Sequence, residues 1–160
     1  VYESVDKRAQ AARYLRELLL KHRDAARQRY AAPFVAALSQ LARTVYGGDI
    51  TFELDDDLRV TTRTQDNETV NLASLSGGAR EQLAILTRFA IAQLVGPESV
   101  PVIVDDALGS TDARRLQLMA TLFSHVGRDN QVLVFTCMPE RYSRVPGRSE
   151  RDIAALKGVI

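Results

Sequence analysis

Two adjacent carboxylates, Asp105 and Asp106, follow an apolar run that ends at Val104. Carboxylate oxygens are ligands that Mg²⁺ prefers, and a positioned carboxylate can also orient or deprotonate a water. Only Pro101 interrupts the run over 100–104, which is typical of a strand buried on both faces of a parallel sheet. Ligands bind at the carboxyl ends of such strands. The pair therefore predicts a site, with a polar strand end as the alternative.

A second group, Leu75, Ser76, Gly77 and Gly78, precedes a long apolar helix that Gly96 is expected to end. A helix N-terminus carries unpaired backbone N–H groups and a partial positive charge, so it attracts phosphate oxygens. The hydroxyl of Ser76 adds a donor, and the two glycines leave room for a phosphate group to approach the backbone. The alternative is that these residues only cap the helix.

The third group, Ser110, Thr111 and Asp112, precedes a predicted helix over 113–126 that Asp112 would cap. The order of a loop, a helix, a strand with two carboxylates and a short loop resembles the C-terminal half of an ABC-type ATPase head. In that family these parts are the signature loop, the Walker B strand and the D-loop. The sequence of residues 75–83 is most similar to that of ATPase heads of the SMC, RecF and YhaN kind, which act on DNA. The resemblance covers residues 46–142.

The resemblance implies a role for each motif. Asp105 would hold Mg²⁺, Asp106 would be the catalytic base, and residues 75–78 would bind in trans the ATP of a second head in a homodimer. The chain departs from the family in having Asp106 where glutamate is more common, which is one methylene longer. It also has Cys137 and Met138 where the family has a switch histidine, and neither side chain is a comparable donor to phosphate. Thr111 stands where an apolar residue is more usual.

No stretch matches the Gly-x-x-x-x-Gly-Lys-Ser/Thr pattern of a Walker A phosphate loop. We therefore expect an N-terminal Walker A lobe, from the same protein or another chain, as a partner, and DNA as the substrate of the whole. Two alternatives stay open: a non-hydrolysing module that dimerises around ATP, and a transporter engine, which the long first helix disfavours.

The composition suits one globular domain, and the resemblance implies that its fold is α/β, the C-terminal lobe of an ABC-type ATPase head with parallel core strands. The chain has 160 residues, 46% of them apolar, and a formal net charge of +1, so DNA binding cannot be argued from bulk charge. A single cysteine allows no internal disulfide, and no apolar run is long enough to span a membrane. We expect a cytoplasmic protein, nucleoid-associated if bacterial. The first residue, Val1, suggests that the sequence begins inside a longer protein.

Residues 1–45 are predicted to be helical and to form the end of a coiled-coil arm, and residues 46–160 to form the ATPase lobe. Heptad positions carry Val5, Ala12, Leu19 and Ala26, although the second seam is only half apolar, so a helix packed on its own domain is the alternative. A basic cluster near its middle can touch phosphates or be simply solvated; it consists of Lys21, His22, Arg23, Arg27 and Arg29.

Pro33 predicts a break before a second helix over 34–46. Strands are predicted over 50–54, 58–62 and 131–136, with a polar turn over 65–68. Asp55, Asp56 and Asp57 are interpreted as a hairpin tip, since the spacing of a calcium loop is missing. His125 falls on the helix over 113–126, where a core or surface role is expected. The end of the chain beyond 142 is polar and basic, and the sequence assigns it no structure.

Overall fold

The computed structural model describes residues 2–96 and 100–156 and has an α/β architecture. Its helices and strands, in chain order, are α1 (Tyr2–Tyr46), β1 (Ile50–Leu54), β2 (Val60–Gln65), β3 (Glu68–Asn71), α2 (Gly77–Val95), β4 (Val102–Asp105), α3 (Ala113–Val126), β5 (Val132–Phe135) and α4 (Ile153–Leu156). Short 3-10 turns cover Leu72–Ser74 and Pro139–Tyr142.

Helix α1 is continuous, so the predicted break at Pro33 and the separate second helix over 34–46 are wrong. A proline lacks the N–H that would bond to the carbonyl four residues earlier. Pro33 is exposed, so water can hydrate that carbonyl, while Phe34 and Leu38 on the next turn are buried in the core. Tertiary packing of the last part of α1 outweighs the local cost of the proline.

The first part of α1 has a different environment. From residue 5 to residue 30 every side chain is exposed apart from the half-buried Leu18, Leu20 and Arg27. Large hydrophobic side chains are among the exposed ones, namely Val5, Tyr14, Leu15, Leu19 and Tyr30. This part of the helix therefore leaves the core and presents apolar groups to its surroundings.

Strands β1, β2 and β3 form an antiparallel sheet in that order, with Ile50 paired to Gln65 and Gln65 paired to Glu68. Strand β2 begins and ends later than the predicted span of 58–62. Strand β3 was not predicted, because it has only four residues and most of them are polar. The turn between β2 and β3 is only Asp66 and Asn67, which have φ of 50° and 67°. Two left-handed residues of these types are typical of a tight hairpin turn.

Strands β4 and β5 pair in parallel, with Val102 opposite Val132 and Asp105 opposite Phe135. Their positions agree with the two strands predicted over 100–104 and 131–136. The prediction that β4 is buried on both faces is wrong for this chain, because Ile103 is 54% exposed while Val102 and Val104 are buried. Helix α2 contacts β4, and the face that carries Ile103 is left uncovered by the described residues 2–96 and 100–156.

The core lies between the last turns of α1, helix α2, helix α3 and one face of the two sheets. Three aromatic rings join these elements edge to face. Phe89 of α2 and Phe123 of α3 have ring centroids 5.2 Å apart, and Phe123 and Tyr142 are 5.7 Å apart. Such pairs contribute beyond the area that they bury. They anchor the turn at Pro139–Tyr142 against the helices and so fix the segment that follows β5.

Candidate functional site

Loop 75–78 leads directly into α2, as predicted. Ser76 is the N-cap of the helix, since its Oγ accepts a hydrogen bond from the backbone N–H of Ala79 at 3.3 Å. Ser76 and Gly77 are both exposed, and a Cβ atom on Gly77 would find open space. Leu75 is half-buried and packs against the core. Of the first three residues of the helix only Gly77 is exposed, since Gly78 and Ala79 are buried and the N–H of Ala79 is bonded to Ser76. The open part of the helix start is therefore Ser76 and Gly77, where an unpaired backbone N–H suits an anion.

Gly78 has a different role from its neighbour. A Cβ atom at this position would lie 2.5 Å from the carbonyl oxygen of Ser110, so the absence of a side chain allows loop 110–112 to approach the start of α2. The buried amide of Gln82 donates from Nε2 to Oγ1 of Thr111 at 3.0 Å. The expectation that both glycines leave room for a phosphate is corrected, because Ser110 fills the space beside Gly78 and only Gly77 faces open space.

We expect Gly78→Ala to lower the free energy of unfolding of the intact protein by about 1–3 kcal/mol. The added methyl group would meet a backbone oxygen, which cannot rotate away as a flexible side chain can. Urea unfolding measures the effect. Gly77→Ala is the matched control, because its methyl group would enter open space at the first position of the same helix. A similar loss in both variants, or none in Gly78→Ala, would contradict this contact.

Asp112 is the N-cap of α3, as predicted, and its Oδ1 accepts a hydrogen bond from the backbone N–H of Arg115 at 2.9 Å. That bond stabilises the charged form and lowers the pKa of the carboxyl below its usual value. The helix ends at Gly127, also as predicted. Capping accounts for Asp112 within this chain, while the side chain stays exposed. His125, near the end of α3, is exposed.

Tyr46, the last residue of α1, joins three elements beside this site. Its hydroxyl donates to the carbonyl oxygen of Ala79 at 3.4 Å. The guanidinium groups of Arg63 on β2 and Arg115 on α3 lie 5.4 Å and 5.6 Å from its ring centroid. Burial raises the pKa of the phenol above its ordinary value, although both arginines act in the opposite direction. The phenol thus stays a protonated donor that connects the end of α1 to the start of α2.

Asp105 and Asp106 are both exposed at the carboxyl end of β4. The backbone N–H of Asp106 continues the sheet by donating to the carbonyl oxygen of Phe135 at 2.8 Å. Its Oδ1 atom accepts from Oγ1 of Thr136 at 3.4 Å and lies 3.6 Å from Sγ of Cys137. The structure therefore brings Asp106 together with the segment where the family has its switch histidine. In the described chain no hydrogen bond or ion pair joins Ser76 or Gly77 to either carboxylate.

Arg141 is the residue here that sequence reasoning missed. Its Nη1 atom lies 3.8 Å from Oδ1 of Asp106 and donates to the carbonyl oxygen of Ala107 at 2.9 Å, and its side chain is only 14% exposed. Its Nη2 atom lies 3.0 Å from Sδ of Met138. The sequence gives no sign of this contact, because Arg141 belongs to none of the motifs. It comes close to Asp106 only when the turn after β5 is folded.

The exposed carboxylates of Asp105 and Asp106 are oxygen donors of the kind that Mg²⁺ accepts, without forming a complete metal site. Across residues 2–96 and 100–156 no group of three His, Cys, Asp or Glu side chains converges on one point. Mg²⁺ is usually bound by one or two carboxylates together with waters and substrate phosphates. Asp105 would be its ligand in this chain, and the ion would neutralise charge on the phosphates.

The basic cluster of α1 is partly neutralised by neighbouring carboxylates. Arg27 forms an ion pair with Asp56 at 2.6 Å, and Arg23 forms one with Asp24 at 2.9 Å. Arg29 lies over the ring of Tyr30.

None of the helices within the described ranges combines the length and the apolar content that a bilayer crossing requires.

The curated proteins that this chain matches are much longer than the chain itself. No family model matches the chain. An uncharacterized protein of Mycobacterium tuberculosis is 49% identical over 154 residues, and so is one of Mycobacterium bovis. Each match covers 96% of this chain and 18% of the relative, so the chain spans less than a fifth of the length of these curated relatives.

Several solved structures share the fold. The Smc head domain of Pyrococcus yayanosii, with a coiled coil and joint, has a TM-score of 0.63 at 18% identity over 85% of this chain and 28% of that chain. A chain from a study of ATP-driven dimerization and DNA-stimulated activation of SMC ATPases has a TM-score of 0.60 at 18% identity. The match covers 81% of this chain and 84% of that chain. The SMC head domain of Thermotoga maritima has a TM-score of 0.55 at 14% identity, and the match covers 77% of this chain and 45% of that chain. These likenesses confirm the recognition from the motifs at the level of the fold.

Proposed function

We propose, for a chain that has the fold of part of an SMC head domain, that it is the C-terminal lobe of an ATP-binding head. In this proposal loop 75–78 contacts the ATP of a second head, so that ATP closes a homodimer. Asp105 serves the magnesium ion and Asp106 activates the attacking water. Hydrolysis then reopens the pair, and the coupled work is on DNA, in repair or chromosome maintenance in the cytoplasm.

The single observation that carries this proposal is the shared surface formed by two loops far apart in sequence. Loop 110–112 lies against the first turn of α2 through Gly78 and Gln82, while Ser76 and Gly77 remain open. The hydrogen bond from Gln82 to Thr111 holds the second loop beside this helix start, so the two loops form one surface. The backbone N–H of the exposed Gly77 and the hydroxyl of Ser76 would be the donors to phosphate oxygens.

An N-terminal lobe with a Walker A loop is part of the proposal. The 160 residues contain no such loop, and the curated relatives have far more sequence than the matched part. One face of the parallel pair also carries three apolar side chains in the open, since Ile103 is 54%, Phe135 45% and Leu133 38% exposed. Strands of a parallel sheet are usually covered on both faces. We propose that the second lobe covers this face.

The exposed part of α1 supports the proposed arm. Val5 and Leu19, two of the predicted heptad positions, are 58% and 61% exposed, so their apolar surface is available to a partner helix. A domain division near residue 45 is the corresponding proposal, although the last turns of α1 belong to the core.

A second candidate function follows from the segment after β5. Cys137 and Met138 replace the switch histidine, and Asp106 is shorter than the usual glutamate. In this alternative ATP holds two heads together and is not hydrolysed. Measuring turnover and ATP-dependent pairing on the same intact protein separates the two candidates.

We expect the 160-residue chain alone to show no magnesium-dependent ATP turnover and negligible ATP affinity, because it has no phosphate loop. Adding the region of the full-length protein that carries a Walker A loop should restore both. Isothermal titration measures affinity, and phosphate release measures turnover. Turnover by purified 1–160 above that of its Asp106→Asn variant would contradict the proposed division into lobes.

A further inference from the structure

The side chain of Asp106 is approached from one side by the segment that follows β5. Its Oδ1 atom has three neighbours from that segment: Oγ1 of Thr136 at 3.4 Å, Sγ of Cys137 at 3.6 Å and Nη1 of Arg141 at 3.8 Å. All three contacts are to the same oxygen. Among the described residues, Oδ2 of Asp106 takes part in no hydrogen bond or ion pair.

The backbone after β4 has an unusual conformation at the same place. Asp106 has φ of 39° and Leu108 has φ of 67°, a left-handed region that non-glycine residues rarely adopt. The carbonyl oxygen of Ala107 between them accepts two hydrogen bonds, from Nη1 of Arg141 at 2.9 Å and from the hydroxyl of Tyr142 at 2.8 Å. Strained conformations of this kind persist where surrounding contacts hold them.

We propose that Arg141 is a positioning residue that holds the turn 106–108 and aims the carboxylate of Asp106. The inference rests on the proposed function and assigns to the turn after β5 the task of compensating for the shorter acidic side chain. Arg141 acts through Asp106 and through the carbonyl oxygen of Ala107, and it does not contact the nucleotide. Arg141 thus orients the base and does not take over the phosphate contact of the missing histidine.

The type of side chain matters for this task. A guanidinium is planar and carries five N–H groups in a fixed fork, so it reaches a carbonyl oxygen, a carboxylate and a thioether at once. The observed contacts to Ala107, Asp106 and Met138 use this fork. A lysine keeps the charge but offers one nitrogen, which cannot occupy the positions of both Nη1 and Nη2. Arg141→Lys therefore separates geometry from charge.

The test uses the full-length protein and three variants: Arg141→Gln, Arg141→Lys and the control Arg144→Gln. Arg144 lies three residues further on, is exposed, and donates to Gln117 of α3 instead of contacting Asp106. We expect kcat to fall by about tenfold to a hundredfold in both Arg141 variants and not in the control, because a misplacement of about 1 Å can have such an effect. The Kd for Mg·ATP should change by less than about twofold, since ground-state binding is untouched.

Two further measurements make the test specific. Combining Arg141→Gln with Asp106→Asn should lower kcat no further than Asp106→Asn alone, because Arg141 acts through that carboxylate. Hydrogen exchange of the peptide over residues 104–110 should become faster in Arg141→Gln and stay unchanged in Arg144→Gln.

The outcomes that overturn the inference are distinct from failure of the proposed function. Wild-type kcat and unchanged exchange in Arg141→Gln would refute it, as would independent losses in the double variant. Parallel loss of ATP affinity and kcat would make Arg141 a nucleotide contact instead. If the wild-type protein binds ATP without hydrolysing it, the proposed hydrolysis fails, and hydrogen exchange still decides whether Arg141 holds the turn.

Discussion

Replacing Ser76 by arginine in the intact protein is expected to abolish ATP-driven pairing of heads, and hydrolysis with it, while each head still binds ATP. Ser76 is exposed at the start of α2, so a large side chain has room in the single head and the fold should survive. In the pair it would occupy the surface that Gly77 keeps open, where the phosphates of the partner head are proposed to lie.

The matched control for this variant is Ser76→Ala. It loses the same capping hydrogen bond to Ala79, a change that typically costs about 1 kcal/mol of stability, but adds no bulk. Sedimentation with and without ATP measures pairing, and titration measures affinity in the single head. If Ser76→Arg pairs with ATP as the wild-type protein does, loop 75–78 is only a helix cap. If Ser76→Ala fails to pair as completely, the hydroxyl and not the space is required.

Asp106→Asn should reduce kcat of the intact protein by about 10²- to 10⁴-fold, the usual contribution of a general base, and should prolong the closed dimer. The amide keeps the size of the carboxylate, and its oxygen can still accept from Thr136 and Cys137, so the local structure should be retained. ATP binding should persist because the proposed role of Asp106 lies in the chemical step. Single-turnover kinetics and dimer lifetime measure the effect.

Asp105→Asn is the paired variant and should act differently. Asp105 is exposed at the end of β4, and its proposed task is to serve the magnesium ion, so its loss should weaken magnesium-dependent nucleotide binding itself. Titration with ATP in the presence and absence of Mg²⁺ compares the two variants. Equal loss of affinity in both would mean that the roles of the two carboxylates have been assigned wrongly.

The sequence predicted those features that are set by local chemistry. Ser76 and Asp112 cap their helices where expected, and Gly127 ends α3, because a side-chain oxygen or a glycine at a helix end satisfies backbone groups within a few residues. Strand β4 was located correctly from its apolar run. In each case the interaction that decides the structure lies within one turn or one strand.

Features that depend on tertiary contacts were missed or predicted wrongly. Pro33 lies within a helix because core residues after it hold the chain in place. The exposure of Ile103 was not predicted, because the apolar pattern of a strand does not reveal whether its own chain covers both faces. Arg141 lies beside Asp106 only because β4 and β5 are neighbours. No local pattern contains that information.

The position of Tyr46 at the end of α1 has a mechanical consequence. At about 1.5 Å per residue, the segment over residues 5–30, in which all but three side chains are exposed, extends α1 by about 40 Å. Tyr46 joins the core-packed end of the same helix to Ala79 in the first turn of α2. A tilt of about 10° at the base would displace the far end by about 7 Å for a rigid rod of that length. If a shift beside loop 75–78 tilted α1 by that amount, the far end of the helix would therefore move much further than the loop itself.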